Sequence, residues 1–263
     1  MNYPFVSRIG GIISADIAVP EQEHEQRFYS RVLGTGDPAL WQNDLLNSEG
    51  NPVIGLGERI PEYANLPLQW MPHIQVADVA ASVKEAVDLN GKVLMHGKDE
   101  EGNSQWAVLL DPNGAGFGLI PVVPPESLPP KKEGSLASTG SIAWVDLTVS
   151  NAPTLRDFYH RVVGWTIEEI EMQDGDDSYN DYNMLGGDGN PAAGICHARG
   201  VNHELPPVWL LYLPVGDINE SLRRVQEEGG RIIKKSRNDD GSYAYVVIQD
   251  PIGIAMALTP ATI

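Results

Sequence analysis

Apolar and polar positions alternate over Ile12 to Val19, the two-residue period of a strand with one buried face. A helical stretch follows and ends at Gly34, where glycine suits a left-handed cap. The same pair of elements recurs at Ile142 to Val149 and before Gly164. Short strands separated by Asn-Pro and glycine-containing turns come next in each case. A further strand (Met71 to Val76; Leu210 to Val215) then meets Asp78 or Asp217, each placed to cap a helix N-terminus. Those helices carry Val79, Val83, Ala86 and Val87, or Ile218, Leu222 and Val225, on about one face. They stop at Asn90-Gly91 and Gly229-Gly230, and three more strands with an Asp-Pro-x-Gly hairpin complete each half. The order βαβββ therefore occurs four times.

The repetition extends to particular residues. Phe28-Tyr29 and Arg31 to Gly34 recur 130 residues later as Phe158-Tyr159 and Arg161 to Gly164. Beyond them the offset is 139: Trp70 to Asp78 answers Trp209 to Asp217, and Asp111 to Gly114 answers Asp250 to Gly253. The second copy thus holds nine extra residues between 165 and 189, where Asp174-Gly175-Asp176-Asp177 reads as a longer hairpin loop. Two domains are predicted, at 8–122 and 140–260. Between them 123–139, with Pro124, Pro125, Pro129 and Pro130, reads as a stiff linker rather than core.

A strand, a helix bearing Phe-Tyr-x-x-Val-x-Gly and a terminal Asp-Pro-x-Gly hairpin, in that order in both halves, resemble the vicinal-oxygen-chelate superfamily. That superfamily includes glyoxalases, bleomycin-resistance proteins and extradiol dioxygenases. A closer similarity is to tandem glyoxalase-like proteins that share Trp-x-Asp/Glu-Leu (Trp144 to Leu147) and Trp-x-x-Tyr/His-x-x-Val-x-Asp (Trp70 to Asp78; Trp209 to Asp217). The resemblance implies an α+β fold of two tandem domains, each a pair of βαβββ modules forming a cupped mixed β-sheet.

In metal-using members the ligands sit on the first and last strands of each module. By that resemblance the first-strand positions, seven residues before each cap, are Ser14, Met71, Trp144 and Leu210. The last-strand positions correspond to Gly55, Gly118, Gly194 and Ala257. Seven of these eight have no side chain suited to a hard divalent cation, and Ser14 alone is a poor ligand. No metal and no other cofactor is expected, so metal-assisted isomerisation, ring cleavage and epoxide opening are rejected.

Residues two apart on a strand share a face, which lists the candidate lining of each cup. The first should present Ser14, Asp16 and Ala18 with Met71, His73 and Gln75; the second, Trp144, Asp146 and Thr148 with Leu210, Tyr212 and Pro214. Asp16 with His73, and Asp146 with Tyr212, are candidate proton-transfer or ligand-anchoring pairs. The same pairs could instead only hold two modules in register. The glycine positions are expected to leave room for a ligand. With Trp144 and Leu210 in the second cup, the first should be the roomier and more polar. Cys196-His197 would make a nucleophile and base only if alternation did not turn them to opposite faces. His203 falls in a loop, and Gly186 to Gly189 lacks the following helix that a phosphate loop needs.

Charge narrows the partners. With 36 acidic against 18 basic residues the formal net charge is −18, which disfavours nucleic acid and anionic membranes and would favour a cationic ligand. No apolar run approaches membrane-span length, no secretion signal is visible, and the lone Cys196 has no disulfide partner, so a cytoplasmic protein is expected. Pairing of the tandem copies within one chain predicts a monomer.

The function expected is binding or sequestration of a small, partly aromatic molecule without metal. The alternatives are a metal-independent isomerase or cyclase using an inward Asp–His or Asp–Tyr pair, a structural module with vestigial cups, and a metal-dependent lyase or dioxygenase. Elemental analysis of purified protein should find no stoichiometric zinc, iron, nickel or manganese; about one bound equivalent would overturn the metal-free assignment.

Overall fold

The structure, a computed structural model, describes residues 6–34, 40–41, 44–46, 51–129 and 139–261. Its first half comprises β1 (Ile12–Val19), α1 (Gln22–Leu33), β2 (Leu40–Trp41), β3 (Asp44–Leu46), β4 (Pro52–Glu58), β5 (Met71–Val76), α2 (Val79–Asp88), β6 (Lys92–Lys98), β7 (Ser104–Leu110) and β8 (Gly116–Pro121). The second repeats the order with β9 (Trp144–Val149), α3 (Ala152–Val163), β10 (Thr166–Asp174), β11 (Asp177–Leu185), β12 (Pro191–His197), β13 (Trp209–Val215), α4 (Ile218–Glu227), β14 (Arg231–Arg237), β15 (Tyr243–Gln249) and β16 (Ala255–Pro260). Each half forms one eight-stranded mixed sheet, ordered β2-β3-β4-β1-β5-β8-β7-β6 and β10-β11-β12-β9-β13-β16-β15-β14. The modules join where β1 runs antiparallel to β5, and β9 to β13.

Local chemistry places the boundaries. The Asp78 and Asp217 carboxylates accept the amides of Ala81 and Glu220, each at 3.0 Å, and so cap α2 and α4. Gly34 and Gly164 close α1 and α3 at φ 66° and 86°, a backbone conformation that side chains oppose. The nine extra residues do not enlarge a loop. They lengthen β10 and β11 to nine residues each, paired continuously from Thr166↔Leu185 to Asp174↔Asp177 across a tight turn. Nor is the inter-half segment wholly free of the core, since Leu128 packs against it. Residues 130–138 of the expected linker lie outside the described residues.

The helices lie between the two sheets, α1 against α4 and α2 against α3, and one apolar core runs through both halves. At its centre the repeated motifs of the two halves exchange partners. The Tyr29 hydroxyl donates to Asp250 at 2.8 Å, and the Tyr159 hydroxyl donates to Asp111 at 3.1 Å. Each aspartate's other oxygen accepts amides of its own hairpin: Asn113 and Ala115 for Asp111, Ile252 and Ile254 for Asp250. Phe117 of the first half packs edge-on against Phe158 and Tyr159 of the second. Among the described residues no helix is long and apolar enough to cross a membrane.

Glu25 departs from this symmetry. It is fully buried in α1 where the repeat places Leu155 in α3, and it lies beside the Asp250 carboxyl. Burial first, and then the Asp250 carboxylate, push Glu25 up to about 8.

Two outcomes follow for stability. Tyr29→Phe and Tyr159→Phe should each cost about 1–3 kcal/mol in denaturant unfolding, because each strands a buried carboxylate oxygen. Glu25 holds its proton more tightly folded (about 8) than at its ordinary 4.5. Its contribution is therefore fully present below about 4.5 and is lost as pH rises toward 8. Glu25→Leu should accordingly stabilise the protein more at pH 9 than at pH 4; a pH-independent difference would contradict this.

Candidate functional site: the cup of the N-terminal sheet

Strand alternation divides β1 and β5 between two environments. Ala15, Ile17, Val19, Ile74 and Val76 enter the shared core, while Asp16, Ala18, Met71 and His73 line the concave face. The register sets Ser14 opposite His73 and Asp16 opposite Met71 across the module junction. Asp16 also lies beside Gly55 of β4, and His73 beside Gly118 of β8.

A hydrogen-bonded chain results. Ser14 Oγ lies 2.9 Å from His73 Nδ1, and His73 Nε2 lies 3.3 Å from Asp16 Oδ2. The neutral imidazole satisfies both contacts when Nε2–H donates to the carboxylate and Nδ1 accepts from the serine. The His73 side chain retains 21% of its exposure and that of Asp16 55%. Desolvation raises the Asp16 pKa, but the charge and hydrogen bond of His73, with the Gly55 amide, outweigh it and hold the carboxyl below its ordinary 3.8. Asp16 is thus an ionised, accessible group.

Two chambers meet at this pair. One, about 470 Å³, is walled by Tyr63, Leu66, Met71, Met95, Trp106 and Val108. The other, about 540 Å³, lies on the Ser14 side beneath Val123 and Ser127 to Pro129. Both share Asp16, Gly55 and His73. Gln75 lines neither. It is fully buried, donating to the Val6 carbonyl and accepting from the Val123 amide, so it pins the entering and leaving segments.

The second cup is filled by its own side chains. Leu210, Tyr212, Val247 and Ala257 form a buried cluster with Trp144 and Tyr245 packed on it. Trp144 Nε1 donates to Asp146 at 2.6 Å, and the Tyr212 hydroxyl bonds the same carboxyl. Burial raises Asp146 against those donors and drives Tyr212 far above the ordinary range of a phenol. Thr148 and Pro214 are buried. Lys234 reaches over the Tyr245 ring, 5.4 Å from its centre, and donates to Asn202 at 3.0 Å.

Two expectations about space need revision. Gly118 leaves no vacancy, because a Cβ there would sit 2.7 Å from His73 Cδ2. At Gly194 the Asp146 carboxylate occupies the space in the same way. These glycines accommodate neighbouring side chains. Nor is Cys196 a poised nucleophile: burial and the nearby Asp146 and Asp181 carboxylates drive its thiol far upward, and the His197 ring bonds Asp181 instead. His203 is exposed on its loop and contacts the Gly200 carbonyl.

Periodicity around β1 and β5 gave no sign of Tyr63, Leu66 and Met95, which come from other segments. The 139-residue offset pairs Met95 with Lys234 and Trp106 with Tyr245.

The residues present do not fit the metal that the resemblance implies. Its positions hold Ser14, Met71, Gly55 and Gly118 in one half and Trp144, Leu210, Gly194 and Ala257 in the other. Leu210 and Ala257 belong to an apolar cluster, and the space at Gly118 and Gly194 is already taken. Among the described residues no three His, Cys, Asp or Glu side chains are grouped to hold an ion.

Comparison with known proteins agrees with this architecture. Residues 141–258 match the family model described as the Glyoxalase/Bleomycin resistance protein/Dioxygenase superfamily. The chain is 27% identical over 239 residues to the anthracycline biosynthesis protein DnrV of Streptomyces peucetius, covering 82% of this chain and 81% of that one. It is 26% identical over 123 residues to the putative glyoxylase CFP32 of Mycobacterium bovis, 46% of each chain. An extradiol ring-cleaving dioxygenase from B. fuscum superposes with a TM-score of 0.57 at 14% identity, over 99% of this chain and 74% of that one. Residues 141–258 thus form a domain of the Glyoxalase/Bleomycin resistance protein/Dioxygenase superfamily, and the first half repeats its order of elements.

Proposed function

We propose that the N-terminal cup binds a small, partly aromatic molecule without a metal ion, and that the protein carries or sequesters it. The observation that supports this reading is the roughly 470 Å³ chamber of apolar and aromatic side chains that ends on the Asp16–His73 pair. Apolar walls with a few convergent polar groups describe small-molecule sites. Ser14, Asp16, Met71 and His73 are the proposed contacts; Trp144, Asp146, Leu210 and Tyr212 hold the second cup together. Gln75 supports the cup from outside it. DnrV is named for anthracycline biosynthesis, and a flat ligand here is in keeping with that name.

A second reading, metal-independent proton transfer, draws on the Ser14–His73–Asp16 chain. Its signature is solvent deuterium entering a bound molecule, lost in His73→Gln.

The binding reading is tested by fluorescence titration with neutral 9-anthracenemethanol. Saturable one-to-one binding is expected. His73→Ala should weaken it by about 1–3 kcal/mol, the range for losing a buried polar partner, and Trp144→Ala should leave it unchanged. The reverse pattern would move the site to the C-terminal cup.

A further inference from the structure

We infer that the N-terminal cup is built for an aromatic cation, a flat apolar body carrying an amine that pairs with Asp16. This rests on the binding reading above and names its ligand class. Three observations carry it.

The first is the charge of the lining. Asp16 is the one Asp, Glu, Lys or Arg side chain among the described residues that line the apolar chamber. Its imidazole partner meets it at one oxygen and is itself held by Ser14, so the Asp16 side chain keeps 55% of its exposure. The carboxylate keeps its charge at the edge of an apolar cavity, where an incoming cation is favoured.

The second is an internal template. In the second half, Lys234 stands over the Tyr245 ring and acts electrostatically on Asp146, so that cup holds carboxylate, aromatic ring and cation together. The repeat places Asp16, Trp106 and Met95 at the corresponding positions. Acid and aromatic ring are retained in the first cup, and the cation is replaced by the uncharged thioether of Met95. A ligand amine supplies the missing member. The Trp106 indole is positioned for this: it lies against Gly97, which has no side chain to displace it, and keeps 40% of its exposure.

The third is the field of the chain, whose formal net charge of −18 concentrates cations at its surface and repels anions.

The test uses the full chain and three probes with one tricyclic body: 9-(aminomethyl)anthracene, 9-anthracenemethanol and 9-anthracenecarboxylate. Each is titrated by fluorescence at pH 7 in physiological salt. The amine should bind at least roughly tenfold more tightly than the alcohol, and the carboxylate most weakly. Asp16→Asn should erase the advantage of the amine, while Glu204→Gln, which removes an equal charge from an exposed site, should leave it intact. Met95→Lys, which recreates the pattern of the second cup, should also abolish the preference for the amine. If alcohol and amine bind equally, or if Asp16→Asn keeps the preference, the cation inference fails and the binding reading stands. If none of the three binds, the binding reading fails and takes the inference with it.

Discussion

Two buried hydroxyl–carboxylate bonds, exchanged between the halves, organise the whole chain. Tyr29 reaches Asp250, and Tyr159 reaches Asp111. Each aspartate is shared: one oxygen closes its own hairpin, the other holds the opposite half's helix. A buried carboxylate needs donors on every side, and neither half alone provides them all. The convex faces are thereby drawn together over four helices, and the concave faces are turned away from the common core. The Phe-Tyr and Asp-Pro-x-Gly motifs recur because each is half of the other copy's contact.

Having secured the fold in duplicate, the chain lets its two cups diverge. In the second, Trp144, Leu210 and Tyr212 close the concavity, and Lys234 stands over the Tyr245 ring beside them. The first keeps an aspartate at the corresponding position but has Ser14, Met71, His73 and Met95 where the second has Trp144, Leu210, Tyr212 and Lys234. Smaller or uncharged side chains in place of Trp144, Leu210 and Lys234 leave a cavity that ends on the Asp16–His73 pair. One cup is closed by its own side chains; the other holds a cavity.

Much of this was legible in the sequence, for physical reasons. The two-residue period showed which side chains of β1 and β5 face the concavity. Asp78, Asp217, Gly34 and Gly164 marked helix ends because caps need particular residue types. Other features depend on which segment covers which face, and periodicity carries no such information. Gln75 lies on the concave side of its strand yet is taken by the backbone at Val6 and Val123. Gly118 and Gly194 resemble vacancies until the neighbouring His73 and Asp146 side chains are placed. Nine inserted residues with an Asp-Gly-Asp-Asp turn gave a loop reading, although their alternation continues the hairpin on both sides. Glu25, a charged residue on a helix, gave no hint that packing between the halves would bury it.

The central claim, that the N-terminal cup is the binding site and needs no metal, is tested most directly by a high-resolution crystal structure of the complex with 9-anthracenemethanol. The account predicts the ring system between Trp106 and Met71, with its hydroxyl on the Asp16–His73 pair and no ion beside it. A probe lodged against Trp144 and Tyr212, or a metal ion bridging probe and protein, would contradict it.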